Sequence, residues 1–322
     1  MTRTARLLLL AIGFGIVVLL VWRAGVQMVA DMLARVGWGF AAVAVTYAMQ
    51  LAIRATALWR SILSGGVRYA DVLRIRISGE AVEKLTLTGP FLAEPAKGWL
   101  LTRRGLAAAD AFAAVATEYL LYTVASSWLA AIALSLLLVR GSLPTTLRPA
   151  AVVVLVLTIA FIGAFTFAAT TGIGLIVPIV RALGVVAGTS RAERAAEAIE
   201  PVERVLITFL HAHPARLAQV FAMEAAAQML LMLEIWIVIA ALGLPRRWTD
   251  PIVVEGGVKF VDIAFSFVPG QVGVSEGTFA LLFSAIGLPS AAGLTLALVR
   301  RIRALLVAAA GLAAFAWVGD DE

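Results

Sequence analysis

Long apolar runs recur along this chain, and they constrain its fold more than any other feature. They cover residues 7–22, 38–58, 107–139, 149–168, 217–242 and 291–316. A helix of about 20 predominantly apolar residues crosses the hydrocarbon core of a bilayer. In lipid the backbone must satisfy its own hydrogen bonds, which leaves helices and closed barrels. Runs this long and continuous are helical rather than alternating. The chain is 62% hydrophobic and 14% charged, against about 25% charged for a soluble domain. The expected fold is an all-α integral membrane protein, a single polytopic domain over residues 1–322.

Several function classes drop out at once. The chain has no cysteine, which removes disulfides, thiolate metal sites and cysteine nucleophiles. His211 and His213 stand two apart before Pro214, a poor basis for a metal site, which needs three or four converging ligands. No metal or cofactor is expected. A net charge of +6 does not point to nucleic acid, because basic residues of membrane proteins gather in cytoplasmic loops. The basic start and apolar run at the N-terminus lack a small-x-small cleavage pattern, since Val21-Trp22-Arg23 follows. Residues 7–22 are therefore read as a retained first span.

Two further apolar regions are interrupted by Gly and Pro, at 72–101 and 252–287. Each is either two full spans or a re-entrant pair of half helices. Neither half of the first region reaches the ~30 Å of the core at 1.5 Å per residue. In the second region only the leading half approaches it. Six spans with two re-entrant hairpins are favoured over eight spans. With the N-terminus in the cytoplasm, the inside segments collect most Lys and Arg, among them Arg60, Arg68, Arg74, Arg76, Lys84, Arg103, Arg104, Arg181, Arg191 and Arg194. The outside segments keep Arg23, Arg35, Arg140, Arg148, Arg246 and Arg247, which follows the positive-inside rule. Residues 1–139 and 149–316 then share one order of span, span, broken hairpin and span, as an inverted repeat. Residues 189–213 read as a cytoplasmic amphipathic connector, with Glu200 and Arg204 paired at i,i+4 on a solvated face.

Ionisable residues inside lipid are costly, at least about 2.5–3.5 kcal/mol each at a helix centre, and so point to function. Glu94 and Lys97 follow the Pro90 break. Glu118 lies in the 107–139 run. Lys259 and Asp262, three apart, can face each other on one helix. Glu276 follows the Pro269-Gly270 break, and Arg300, Arg301 and Arg303 lie in the last run. Arg300 and Arg303 share a helix face, and Arg301 points about 100° away. Lys97 and Arg54 are long enough to snorkel to an interface. Glu276 is the strongest candidate. A carboxylate after a helix break in lipid is either paired with a cation or lines a wet cavity. Clustered Arg and Lys suit a phosphate or other acidic head group, and the surrounding apolar spans suit its tails.

At these residues the chain resembles the flippase-like family, the transmembrane part of lysylphosphatidylglycerol synthase and its stand-alone relatives. The resemblance rests on TGPFLAEPAKGWLLTRRG (88–105), Glu118, VPGQVGVSEG (268–277) and LVRRIRALLVAAAG (298–311). The family pattern at the second motif reads Pro-Gly-Gly-x-Gly-x-x-Glu, and here Gln271 replaces the second glycine. The first motif usually carries Pro-Gly, and here reads Gly89-Pro90-Phe91. The resemblance implies movement of a lipid or lipid-linked head group between leaflets, with Glu94, Glu276, Arg300 and Arg301 carried over by motif position. The synthase members add a soluble aminoacyl transferase domain. This chain ends at Gly319-Asp320-Asp321-Glu322, so it is expected not to make aminoacyl-lipids. The resemblance extends to the hopanoid-associated group.

The expected function is a non-enzymatic lipid translocase of the bacterial inner membrane, with lipid-biosynthesis enzymes as its partners. No Gly-x-x-x-x-Gly-Lys-Ser/Thr loop is present, so ATP does not drive it through such a site. The alternatives are a non-transporting accessory subunit of a hopanoid, glycolipid or cell-envelope complex, and an intramembrane lipid-modifying enzyme.

Overall fold

The computed structural model describes residues 34–86, 89–141, 143, 145–184, 189–264 and 274–318. The expected first span at 7–22, and Pro269 and Gly270 of the second break, lie outside them. Among the described residues all regular structure is helical. In chain order the helices are α1 (Trp38–Ser61), α2 (Tyr69–Leu85), α3 (Pro90–Thr102), α4 (Ala108–Val139), α5 (Arg148–Thr171) and α6 (Ile176–Ala182). They continue as α7 (Thr189–Ala212), α8 (Pro214–Ala241), α9 (Asp250–Ala264), α10 (Val274–Ala285) and α11 (Ser290–Val318).

Helices α1, α4, α5 and α8 are long and apolar enough to cross a bilayer. They match four of the runs expected from the sequence, and this is an all-α membrane protein. α11 is also long, at 29 residues, but carries three arginines in its middle. The two interrupted regions are each two short helices. α2 and α3 have 17 and 13 residues, or about 25 and 20 Å of helix. α9 and α10 have 15 and 12 residues, about 22 and 18 Å. None alone matches the ~30 Å core. The break before α3 is local chemistry. Gly89 takes a φ of 50°, which a Cβ would disfavour, and Pro90 starts the helix where its missing N–H costs nothing.

The packing follows one scheme. α1 lies along α8, with Gly39 of α1 against Ile237 and Ala241 of α8. α2 packs on α11, and α9 packs on α4. α3 lies against α4, and α10 against α11. Three of these crossings need glycine, one of them at Gly293 of α11, where a Cβ would land on the Phe279 carbonyl oxygen of α10. A Cβ on Gly256 of α9 would fall 2.6 Å from the Leu129 carbonyl oxygen of α4. A Cβ on Gly311 of α11 would land on the Ile77 carbonyl oxygen of α2. Only a hydrogen in place of the side chain lets these backbones approach so closely.

The largest apolar cluster joins α4, α8, α9, α10 and α11 through Leu134, Ile235, Val254, Phe283 and Leu296. α5 is the opposite case. Val152, Val153, Val156, Leu157 and Ile159 stand exposed on it, as expected of a helix whose outer face meets lipid tails rather than water. α7 is amphipathic as expected, with Leu206, Phe209 and Leu210 buried and Glu200 paired with Arg204 on the exposed face. Glu203 departs from that solvated face. It is buried and accepts hydrogen bonds from the Ile176 and Val177 backbone N–H groups at 2.6 and 3.1 Å, fastening the start of α6.

Candidate functional site

Polar side chains gather where α1, α2, α3, α4 and α8 meet. Glu118 of α4 is the hub and is fully buried. Its Oε1 accepts hydrogen bonds from Arg54 Nε and Nη2 of α1, at 3.1 and 2.7 Å, and from Arg76 Nη1 of α2, at 3.2 Å. Arg76 also donates to Glu80 one turn along α2, at 2.9 Å. Lys97 of α3 pairs with Glu94 at 2.6 Å and stands 3.7 Å from Glu118 Oε2. Its stem crosses α2 at Gly79, where a Cβ would meet Lys97 Cδ at 2.8 Å. Glu224 of α8 closes the group, 3.2 Å from Arg54 Nε.

A second cluster lies where α8, α9 and α11 meet. Arg300 of α11 donates to Glu255 of α9 at 2.6 Å and to Glu234 of α8 at 3.2 Å. Arg303, one turn on, donates to the other Glu234 oxygen. Lys259 of α9 pairs with Glu255 at 3.1 Å. Two tyrosines tie the clusters together. Tyr47 of α1 donates to Glu80 at 3.1 Å while the Arg303 guanidinium lies 3.7 Å from its ring centre. Tyr122 of α4 lies under Arg54 at 3.9 Å and accepts from Lys259 Nζ at 2.9 Å. Each contact helps offset the desolvation of ions held inside the protein.

The two clusters have the same geometry with opposite signs. Arg54 of α1 binds Glu118 of α4, and Glu234 of α8 binds Arg300 of α11. Arg76 of α2 binds Glu118, and Glu255 of α9 binds Arg300. Arg76–Glu80 is an i,i+4 pair on α2, and Glu255–Lys259 is an i,i+4 pair on α9 with the signs reversed. Corresponding members stand roughly 180 positions apart in the chain. The close crossings at Ile77–Gly311 and Leu129–Gly256 are related by the same shift.

The residues expected from the sequence divide as follows. Glu94, Lys97 and Glu118 come together in the first cluster, and Lys259 and Arg300 in the second. Arg301 points away from Arg300, as its helical position required, and pairs with Glu276 at 2.6 Å. That pair is the more open one, with about a quarter of each side chain accessible, 29% and 21%. Asp262 lies on α9, but its side chain is outside the description, as are Pro269 and Gly270. Lys97 and Arg54 do not reach an interface. They are only 2% and 6% exposed, because carboxylates from neighbouring helices meet them inside. Arg76, counted from sequence among the cytoplasmic loop residues, is likewise buried.

Sequence reasoning missed Arg76, Glu80, Glu224, Glu234 and Glu255. Glu224 and Glu234 carried a usable signal. Both interrupt the 217–242 apolar run, the pattern that singled out Glu118. Arg76 and Glu80 carried none, since α2 is no more apolar than a soluble helix.

Beside the first cluster, an apolar groove of about 240 Å³ is lined by Leu121, Val124, Trp128, Phe165, Leu217 and Phe221. Leu121 lies about one turn from Glu118 on α4, and Phe221 about one turn from Glu224 on α8. The family model described as lysylphosphatidylglycerol synthase TM region matches residues 7–311. Comparison with curated proteins and with solved structures found no match.

Proposed function

The chain belongs to the lysylphosphatidylglycerol synthase transmembrane-region family, and from that premise we propose that it moves a lipid or lipid-linked head group between leaflets. Family membership supports a membrane protein of lipid-related processes. The observation that carries the finer reading is the pair of ionic clusters inside the bundle, with an apolar groove alongside the first. Charges in a membrane interior are retained at a cost. A head-group path with tails in the adjoining groove is a use that fits both halves of an amphiphile.

In this reading residues 1–139 and 149–316 are inverted repeats, and α2–α3 and α9–α10 are their broken hairpins. The reversal of sign between the clusters supports it, because helix order and pairing recur while residue chemistry has diverged. The Glu276–Arg301 pair is the entry point, since it is the accessible part of the ionic system. Arg301 there offers a planar fork to phosphate oxygens when Glu276 yields it. The chain acts without covalent chemistry, in the bacterial inner membrane with its N-terminus in the cytoplasm.

Transbilayer movement of labelled lipids in proteoliposomes tests this. Anionic, zwitterionic and hopanoid-type lipids are compared for the native protein and Glu276→Gln. Fast movement of one class is expected. The variant should slow it roughly tenfold, the effect of about 1.4 kcal/mol on a barrier, with folding intact. No movement of any lipid, with or without a proton gradient, would sink the translocase reading.

A further inference from the structure

Glu224 is fully buried in the middle of α8, and the ion-pair scheme does not account for its oxygens. Among the described residues neither oxygen has a hydrogen-bond donor. Arg54 Nε, 3.2 Å away, directs its hydrogen to Glu118. Glu118 shows the complementary deficit. Three donor nitrogens converge on its Oε1, while Oε2 has no donor and only the Lys97 ammonium at 3.7 Å. The two carboxyl groups converge on one atom, Arg54 Nε, with Glu118 Oε1 at 3.1 Å and Glu224 Oε2 at 3.2 Å. Two carboxylates cannot bond to each other, whereas a carboxylic acid and a carboxylate can, through one short O–H···O⁻ bond.

Local charge points the same way. The first cluster sets Glu80, Glu94, Glu118 and Glu224 against Arg54, Arg76 and Lys97. The groups facing Glu224 are Arg54 from α1, Arg76 from α2 and Glu118 from α4. Tyr122 lies against Arg54, and its hydroxyl accepts from Lys259 of α9. Glu118 has both Arg54 and Arg76 on one oxygen, whereas the Arg54 nitrogen beside Glu224 already gives its hydrogen to Glu118, so a proton on Glu224 supplies the donor that no described side chain does.

We propose that Glu224 and Glu118 form a proton-binding site that joins α8 to α4, with Glu224 as the acid donating to Glu118 Oε2. The site follows from the side-chain geometry alone and does not depend on lipid transport. It has a consequence for the reading above. With the proton bound, α4 and α8 are bridged. With it released to water, two facing carboxylates repel, and the helices separate where the groove lies between them. Proton occupancy thereby sets the balance between two packings of the bundle, and a proton gradient can drive one over the other.

Infrared spectroscopy of the full chain in lipid nanodiscs, at neutral pH in water and in heavy water, tests the site. A protonated-carboxyl C=O band that shifts on deuteration is expected. It should disappear in Glu224→Gln, a near-isosteric stand-in for the acid. Should that variant misfold, Glu224→Asp keeps the acid and should move the band instead of removing it. Absence of the band in the native protein, or its persistence unchanged in Glu224→Gln, overturns the proposal. A band lost in Glu224→Gln, with no lipid moved by any preparation, would sustain the proton site and sink the translocase reading alone.

Discussion

Arg54 is the residue on which the first cluster most depends. Its guanidinium holds Glu118 by two nitrogens, approaches Glu224 and stacks on Tyr122. Arg54→Gln would leave the buried Glu118 carboxylate without its two-nitrogen partner. Breaking a buried ion pair from one side typically costs about 3–5 kcal/mol, far more than the intact pair contributes. A loss of that order is expected in reversible denaturant unfolding in detergent. Adding Glu118→Gln to Arg54→Gln should recover part of it, because the second change removes the stranded charge. Equal losses for the single and double variants would mean that the pair is not what holds these helices. Glu276→Gln belongs at the other extreme. Its partner Arg301 is partly open to its surroundings, so a mild effect on stability and a strong one on flux are expected.

At the scale of the helix, the close crossings set how near the backbones come. α2 and α11 touch at Ile77–Gly311, and α4 and α9 at Leu129–Gly256. Without a hydrophobic driving force between helices in lipid, association rests on such close packing. Gly311→Ala should therefore destabilise by about 1–3 kcal/mol, the usual cost of overpacking a tight contact, and Gly256→Ala similarly. The opposing atom is backbone in both cases and cannot rotate away. Gly163 of α5, with open space around it, serves as the control. Gly163→Ala should be neutral or slightly stabilising, because alanine favours helix. Thermal unfolding of the three variants side by side decides this, and equal behaviour would remove the glycines from the account.

At the scale of the molecule, α1 and α8 run antiparallel, with the start of α1 beside the end of α8. The turn after α1 therefore lies near the start of α8, where Gly65, Gly66 and Arg216 line one surface. The segment after α8 lies at the opposite end. The chain has no native cysteine, so single cysteines report cleanly. Ser64→Cys and Arg246→Cys both stand at exposed positions. In intact cells a membrane-impermeant maleimide should label Arg246→Cys and spare Ser64→Cys until the membrane is opened. The reverse pattern would invert the orientation, and labelling of both would deny that α1 and α8 span.

The amino-acid sequence by itself determined the class and the elements. Apolar runs the length of a bilayer admit only helices, and Gly89-Pro90 admits only a break. Glu118 and the late arginines announced themselves because a charge in a hydrocarbon run is conspicuous. Membership of the family was legible in the same motifs. What tertiary structure alone decided is which charge meets which. Arg54 and Lys97 have stems long enough to reach an interface, and nothing local prevents it. They turn inward because Glu118, more than twenty residues further along the chain from either, is delivered by α4 to the place where α1, α2 and α3 converge. Ion pairing inside a membrane is a property of crossing helices, and helix crossing is set by close backbone contacts such as Ile77–Gly311 that no one-dimensional pattern records. The Glu118 and Glu224 carboxyls lie at the same limit: each stands out as a charge in its own apolar run, but only the meeting of α4 with α8 around Arg54 makes them a pair.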